Sequence, residues 1–112
     1  MFRVVLSVPA PFAAAVLRQR AMSAVIAAMH RAAPEAQRDL GNAWKAYVAA
    51  HVPRRTGHAH RSAWAFMEPV SDGVLIHITG AFYIGFHIPL AARQAMLHRG
   101  LGFLAARAAR YL

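Results

Sequence analysis

Cysteine is absent from the 112 residues, which excludes a disulfide framework, a thiolate metal site and a thiol nucleophile, and suits a reducing compartment. Acids are almost as scarce: Glu35, Asp39, Glu68 and Asp72 are the only four. None of them sits in a catalytic motif, and no paired carboxylates, phosphate loop or nucleophile elbow is present. An enzyme is therefore not expected, although Ser62 and seven histidines could supply a nucleophile and a base. Lysine occurs once, as Lys45, beside twelve arginines, and the formal net charge is +9. Such an excess implies an acidic partner, whether nucleic acid, membrane surface or protein, and arginine favours bidentate pairing with carboxylate or phosphate. Abundant alanine gives the arginine bias a second explanation, a GC-rich genome. There is no internal repeat, linker or low-complexity tail, so residues 1–112 are read as a single domain whose thin core would gain from assembly into an oligomer.

Two apolar stretches bear on a membrane role. Residues 1–15 carry Arg3 and an apolar run, but Pro9 and Pro11 interrupt it and Arg18 and Arg20 follow, against a secretory signal. Residues 73–92 contain no Asp, Glu, Lys or Arg, about the length that spans a bilayer. Gly73, Gly80, Gly85, Pro89, His77 and His87 fall within them and the first half is β-branched, so two paired strands are expected there and no membrane span.

Phe2, Val4, Leu6 and Val8 alternate as a half-buried strand that Pro9 and Pro11 end. From about residue 12 to 31, Leu17, Ala21, Val25 and Ala28 form one helical face, widened by Met22, Ile26 and Met29. Ala33-Pro34-Glu35 predicts a second helix, with Pro34 in its first turn and Glu35 and Asp39 near the positive end of its dipole. Leu40, Trp44, Tyr47 and Val48 carry that helix to about His51, and Gly41 weakens it as a straight rod. Residues 61–67 alternate as a strand, Ser71-Asp72-Gly73 is expected as an Asp-Gly hairpin turn, and residues 74–79 return as the partner. Gly80 marks a bulge or break before residues 82–86. Residues 91–111 form a closing helix on Met96, Leu97, Leu101, Leu104 and Ala108, weakened by Gly100 and Gly102. The fold class is thus α+β: an N-terminal strand, two helices, a short antiparallel sheet with a hairpin, and a C-terminal helix.

Between the second helix and the sheet lies the run Val52-Pro53-Arg54-Arg55-Thr56-Gly57-His58-Ala59-His60-Arg61-Ser62. Pro53 forbids helix continuation, Gly57 allows a left-handed turn, and Thr56 can bond its own backbone while the chain reverses. His58 and His60 form a possible ligand pair on one side of a strand, but two more ligands would have to come from His51, His77 or His87, and surface or structural histidines are the expectation, with no metal and no cofactor. Trp44, Tyr47, Trp64, Phe66, Phe82, Tyr83 and Phe86 could stack bases on an open face, yet their spacing reads as core packing. Arg54, Arg55 and Arg61 cluster on a connection, where they can meet acids or phosphates.

Pro53, Arg55, Thr56, Gly57, Arg61 and Ser62, with Tyr83 about twenty residues on, resemble the tail-completion family, minor tail components of the neck in long-tailed bacteriophages and gene transfer agents. The likeness spans about residues 43–88. Ala59 and Ala63 stand where the family has larger aliphatic residues, and His87-Ile88-Pro89 replaces an acidic residue and a glycine. The resemblance implies a structural, non-enzymatic virion protein, assembled in the bacterial cytoplasm, several copies of which form a ring at the neck. DNA would pass through the ring, and the neighbours would be portal or adaptor, tail-terminator or tail-tube proteins. Its interaction residues would be Arg54, Arg55, Thr56, Gly57, His58, His60, Arg61, Ser62 and Tyr83. A channel in which DNA slides should not bind phosphate strongly, so these arginines are expected to face acidic protein more than the lumen. A small basic nucleic-acid-binding protein is the alternative; a cationic membrane-active protein built on the amphipathic N-terminal helix is a third reading.

Overall fold

The computed structural model describes residues 1–9, 22–53 and 57–112. The elements run β1 (Phe2–Pro9), α1 (Met22–His51), α2 (His58–Ser62), β2 (Trp64–Val70), β3 (Gly73–Gly80), a 3-10 turn (Phe82–Phe86), α3 (Leu90–Ala108) and a final 3-10 turn (Ala109–Tyr111). The α+β class holds. All three strands form one antiparallel sheet in the order β1-β3-β2.

Strand alternation sorts the side chains of β1 and β2, while central β3 is buried on both faces, His77 and Thr79 included. Val8, Val74, Ile76, Ile78, Ala65 and Met67 are buried, while Arg3, Val5, Ser7, Trp64 and Phe66 on the opposite face are exposed. Against the inner face pack α1 and α3, α1 through Val25, Ala28, Met29, Ala32, Ala33, Ala36, Leu40, Trp44 and Val48. Gly100 of α3 is buried where a Cβ would stand 2.8 Å from Leu40 Cδ2 and 3.2 Å from Ile76 Cγ2. The glycine read as a weakness in the helix is thus a point of close approach between α3, α1 and the sheet. Trp44 anchors the same layer, its indole N–H donating to the Thr79 carbonyl at 2.9 Å and its ring edge-on to Phe2.

Four local expectations are corrected. The two helices separated at Pro34 are one helix over the described residues 22–51, about 45 Å long at 1.5 Å per residue, against a longest molecular dimension of 49 Å. Pro34 lies on the exposed face, where water can take the His30 carbonyl that the missing N–H leaves without its helical donor. Glu35 and Asp39 consequently sit mid-helix, away from any dipole end. The hairpin loop is Ser71-Asp72 alone, since Gly73 already pairs with Val70, and Gly57 is the one glycine with positive φ among the described residues. Gly73 has a different reason to be small: a Cβ there would stand 2.0 Å from the Val8 carbonyl oxygen. The His30 imidazole meets the Val70 and Gly73 carbonyls at 2.9 and 3.0 Å, fastening the hairpin to α1. Residues 58–62 form a helical turn, so the strand begins at Trp64 and not near Arg61. Gly80 does end a strand, but residues 82–86 then coil as a 3-10 turn where a paired strand was expected.

The outer edge of β2 is partly closed to further pairing. Its Met67 N–H donates to Gln37 Oε1 of α1 at 3.0 Å, and Pro69, facing the same way two residues on, has no N–H to offer. Among the described residues no helix is long and apolar enough to cross a membrane.

Candidate functional site

Gly57 opens the described part of the basic turn with φ 79° and ψ 0°, the left-handed conformation its sequence context predicts. Arg54, Arg55 and Thr56 lie outside the described residues. From Gly57 the chain winds directly into α2, whose Arg61 N–H donates to the Gly57 carbonyl at 3.0 Å. His58 and His60 therefore stand on a helix, about 200° apart around its axis at 3.6 residues per turn, and not on one side of a strand. His60 Nε2 meets the Val52 carbonyl at 3.3 Å, tying α2 back to the end of α1. Among the described residues no group of three His, Cys, Asp or Glu is placed to hold a metal ion.

Ser62 is the hinge of the site. Its buried hydroxyl donates to the Ala59 carbonyl and accepts from the Ala81 N–H, both at 2.9 Å. One side chain thus closes α2 and fixes the start of the 3-10 turn nineteen residues later, and its proton is committed to the backbone rather than to a base. Beyond Ala81, Ile84 is fully buried, and its own N–H and carbonyl hold the turn through Ala81, His87 and Ile88. The Tyr83 ring comes to 6.1 Å from the His58 ring. Gly57, His58, His60, Arg61, Ser62 and Tyr83 are therefore gathered at one end of the molecule.

What sequence reasoning missed here is the exposure of the aromatics. Phe82 is 67 % and Phe86 79 % exposed, against the expectation that both pack in the core. Trp64 and Phe66 are also outside, on the open sheet face, whereas Trp44 is wholly buried and Tyr47 half-buried. Gly85-Phe86-His87 suits a turn as well as a strand, so no local signal in the sequence decided it.

The acids lie elsewhere. Asp72 is in the hairpin turn at the far end of the sheet, and Glu68 sits 3.5 Å from His77 on its outer face, without a hydrogen bond between them. Glu35 and Asp39 join α1 to the C-terminal end of α3. Arg107 donates from Nε to Asp39 Oδ2 at 2.9 Å, from Nη2 to Oδ1 at 3.1 Å and from Nη1 to Glu35 Oε2 at 3.3 Å. Tyr111 donates its hydroxyl to Glu35 and carries the Arg31 guanidinium 4.5 Å above its ring. The Tyr111 hydrogen bond holds the Glu35 carboxyl below its ordinary range; burial opposes it, and the charges of Arg107, Arg110 and Arg38 add to the lowering. Asp39 is lowered chiefly by its hydrogen bond to Arg107, and Tyr111 is raised by its bond to Glu35. This cluster is a structural clasp between two helices, far in sequence from the basic turn.

Comparison of the chain with protein-family models, with curated proteins and with solved structures found no match.

Proposed function

We propose that the chain is a structural virion protein, a ring-forming tail-completion or head-tail connector component at the neck of a phage or phage-like particle. The observation that carries this reading is the meeting of the two halves of the resembling motif, the Gly57 turn and Tyr83, across Ser62. In this reading the described end offers an interface and no reactive group: its serine is bonded to backbone on both sides, and its glycine sets a chain reversal. The long helix α1 and the clasp at Arg107 hold the body rigid, while the basic turn and the 3-10 turn meet a neighbouring subunit or the adjoining ring. DNA passes through the ring, and the arginines face acidic protein.

Replacing Arg54, Arg55 and Arg61 together by alanine tests it. Arg61 is exposed on α2, and an exposed charge contributes roughly 0–1 kcal/mol to stability, so the isolated fold should survive. Charge-assisted contacts at an interface would be lost together, so particles complemented with the variant should show unjoined heads and tails or abnormal tail ends by electron microscopy. Normal infectious particles would remove the interface role. The +9 charge favours a second reading, a basic nucleic-acid-binding protein acting without a particle. Salt-sensitive DNA binding lost in the triple variant, with assembly intact, would select that reading.

A further inference from the structure

We propose that Phe82 and Phe86 form an aromatic anchor that packs against an apolar face flanked by carboxylates on a partner protein. The proposal rests on the reading of this end as an interface and specifies the chemistry of the surface that receives it. Three observations carry it. No large apolar side chain among the described residues, apart from the N-terminal Met1, is as exposed as these two, and Leu90, 51 % exposed, follows within nine residues of Phe82. Ile84 between them is fully buried and its backbone bonds to Ala81, His87 and Ile88, so the backbone that carries the two rings is fixed, and the rings stand against each other edge to face, 6.1 Å apart and 83° between planes. A pair of aromatics on a fixed backbone loses little freedom on burial, which is what an interface anchor requires.

The charge beside this anchor is basic, and the four acids lie elsewhere, at the clasp, on the outer sheet face and in the hairpin turn. Arg93 reaches beneath the 3-10 turn, its guanidinium 4.8 Å above the Phe2 ring and its Nη2 3.7 Å from where a Cβ on Gly85 would stand. Its Nε is buried without a hydrogen-bond partner, and no carboxylate among the described residues pairs with it. The acids that complement this end must come from the partner. Protein is favoured over nucleic acid because the two phenyl rings stand edge to face, while successive bases stack on ring faces open in series.

The test uses the full chain and three labelled probes: a helical peptide with leucine and tryptophan on one face and glutamate on the other, a polyglutamate peptide of equal charge, and a short DNA duplex. The parent should bind the amphipathic peptide at least roughly tenfold more tightly than polyglutamate. Phe82→Ser/Phe86→Ser should lose that preference and keep the parent's DNA affinity and melting temperature. Phe86→Ser alone, at the more exposed site, should show a partial loss and guards against misfolding of the double variant. Equal binding of the amphipathic peptide by the parent and both variants overturns the proposal. Loss of DNA binding with peptide binding intact overturns it too, and assigns the rings to nucleic acid. Because no particle enters this measurement, its failure beside defective particles would sink the anchor alone, and normal particles without the chain would sink only the neck reading.

Discussion

Gly57 and Gly102 sit in opposite situations, and their substitutions should move stability in opposite directions. At Gly57 the backbone is buried and left-handed, so Gly57→Val forces a β-branched residue into a region it strongly disfavours. Thermal melts should show a loss of at least roughly 1–2 kcal/mol. At Gly102 a Cβ meets nothing within 4 Å and the residue lies in an exposed stretch of helix, so Gly102→Ala should stabilise by about 1 kcal/mol. Gly100, one turn-face away, behaves differently: the same substitution presses on Leu40 and Ile76, and the gain in helix propensity is offset by repacking. A Gly100→Ala melt at or below the parent, beside a raised Gly102→Ala melt, would establish that contrast; equal gains would mean the helix contact is looser than described. Trp44→Phe keeps most of the buried ring but removes the donor to the Thr79 carbonyl, and should cost about 1 kcal/mol by denaturant unfolding.

At the scale of elements, the clasp between α1 and α3 gives the fold its acid sensitivity. Glu35 and Asp39 have carboxyl groups lowered in the folded state, so their stabilising contribution is present above the unfolded values, about 4, and is lost as pH falls through the folded ones. Tyr111, raised by Glu35, contributes below its unfolded value, about 10, and that part is lost as pH rises through the folded one. Melts between about pH 6 and pH 2 should therefore fall more steeply for the parent than for Arg107→Met, in which the chief partner of Asp39 is gone. Parallel acid limbs would show that the clasp does not couple to folding. These same elements show where sequence reading succeeds. The strands at 2–9 and 64–70 and the closing helix were legible because each has a sustained hydrophobic period and one buried face, and the central strand at 73–80, buried on both faces, from its β-branched run after the Asp-Gly turn. Pro34 misled because a proline rule is local, whereas the exposed position of its ring within a long, alanine-rich packed helix is a tertiary fact. The clasp was invisible because Arg107 and Asp39 are 68 residues apart and only the antiparallel packing of two helices brings them together. In the site, the left-handed turn at Gly57 was legible from turn chemistry, whereas the approach of Tyr83 to His58 is a product of the fold. The outward Phe82 and Phe86 were not legible either, since an aromatic run followed by Gly85 reads equally as a strand until the fold decides which residue, Ile84, goes inside.

For the whole molecule, the distribution of charge and apolar surface argues for assembly. The acids are spent on the clasp, the outer sheet face and the hairpin turn, while the end holding α2 and the 3-10 turn pairs exposed aromatics with basic residues. A chain of this size with 58 % apolar residues should self-associate or become fully ordered beside its partners, which light scattering across a concentration series can follow. The sheet constrains how: Gln37 and Pro69 hinder strand addition at the β2 edge, which leaves the β1 edge, the helices and the docking end as surfaces on which subunits can meet. The most direct measurement of the central claim is electron microscopy of particles produced in cells lacking this chain, with and without the chain restored. The neck reading predicts filled heads separated from tails, or tails ending abnormally, and joined particles once the parent chain is supplied. Joined, infectious particles in its absence would contradict the reading outright.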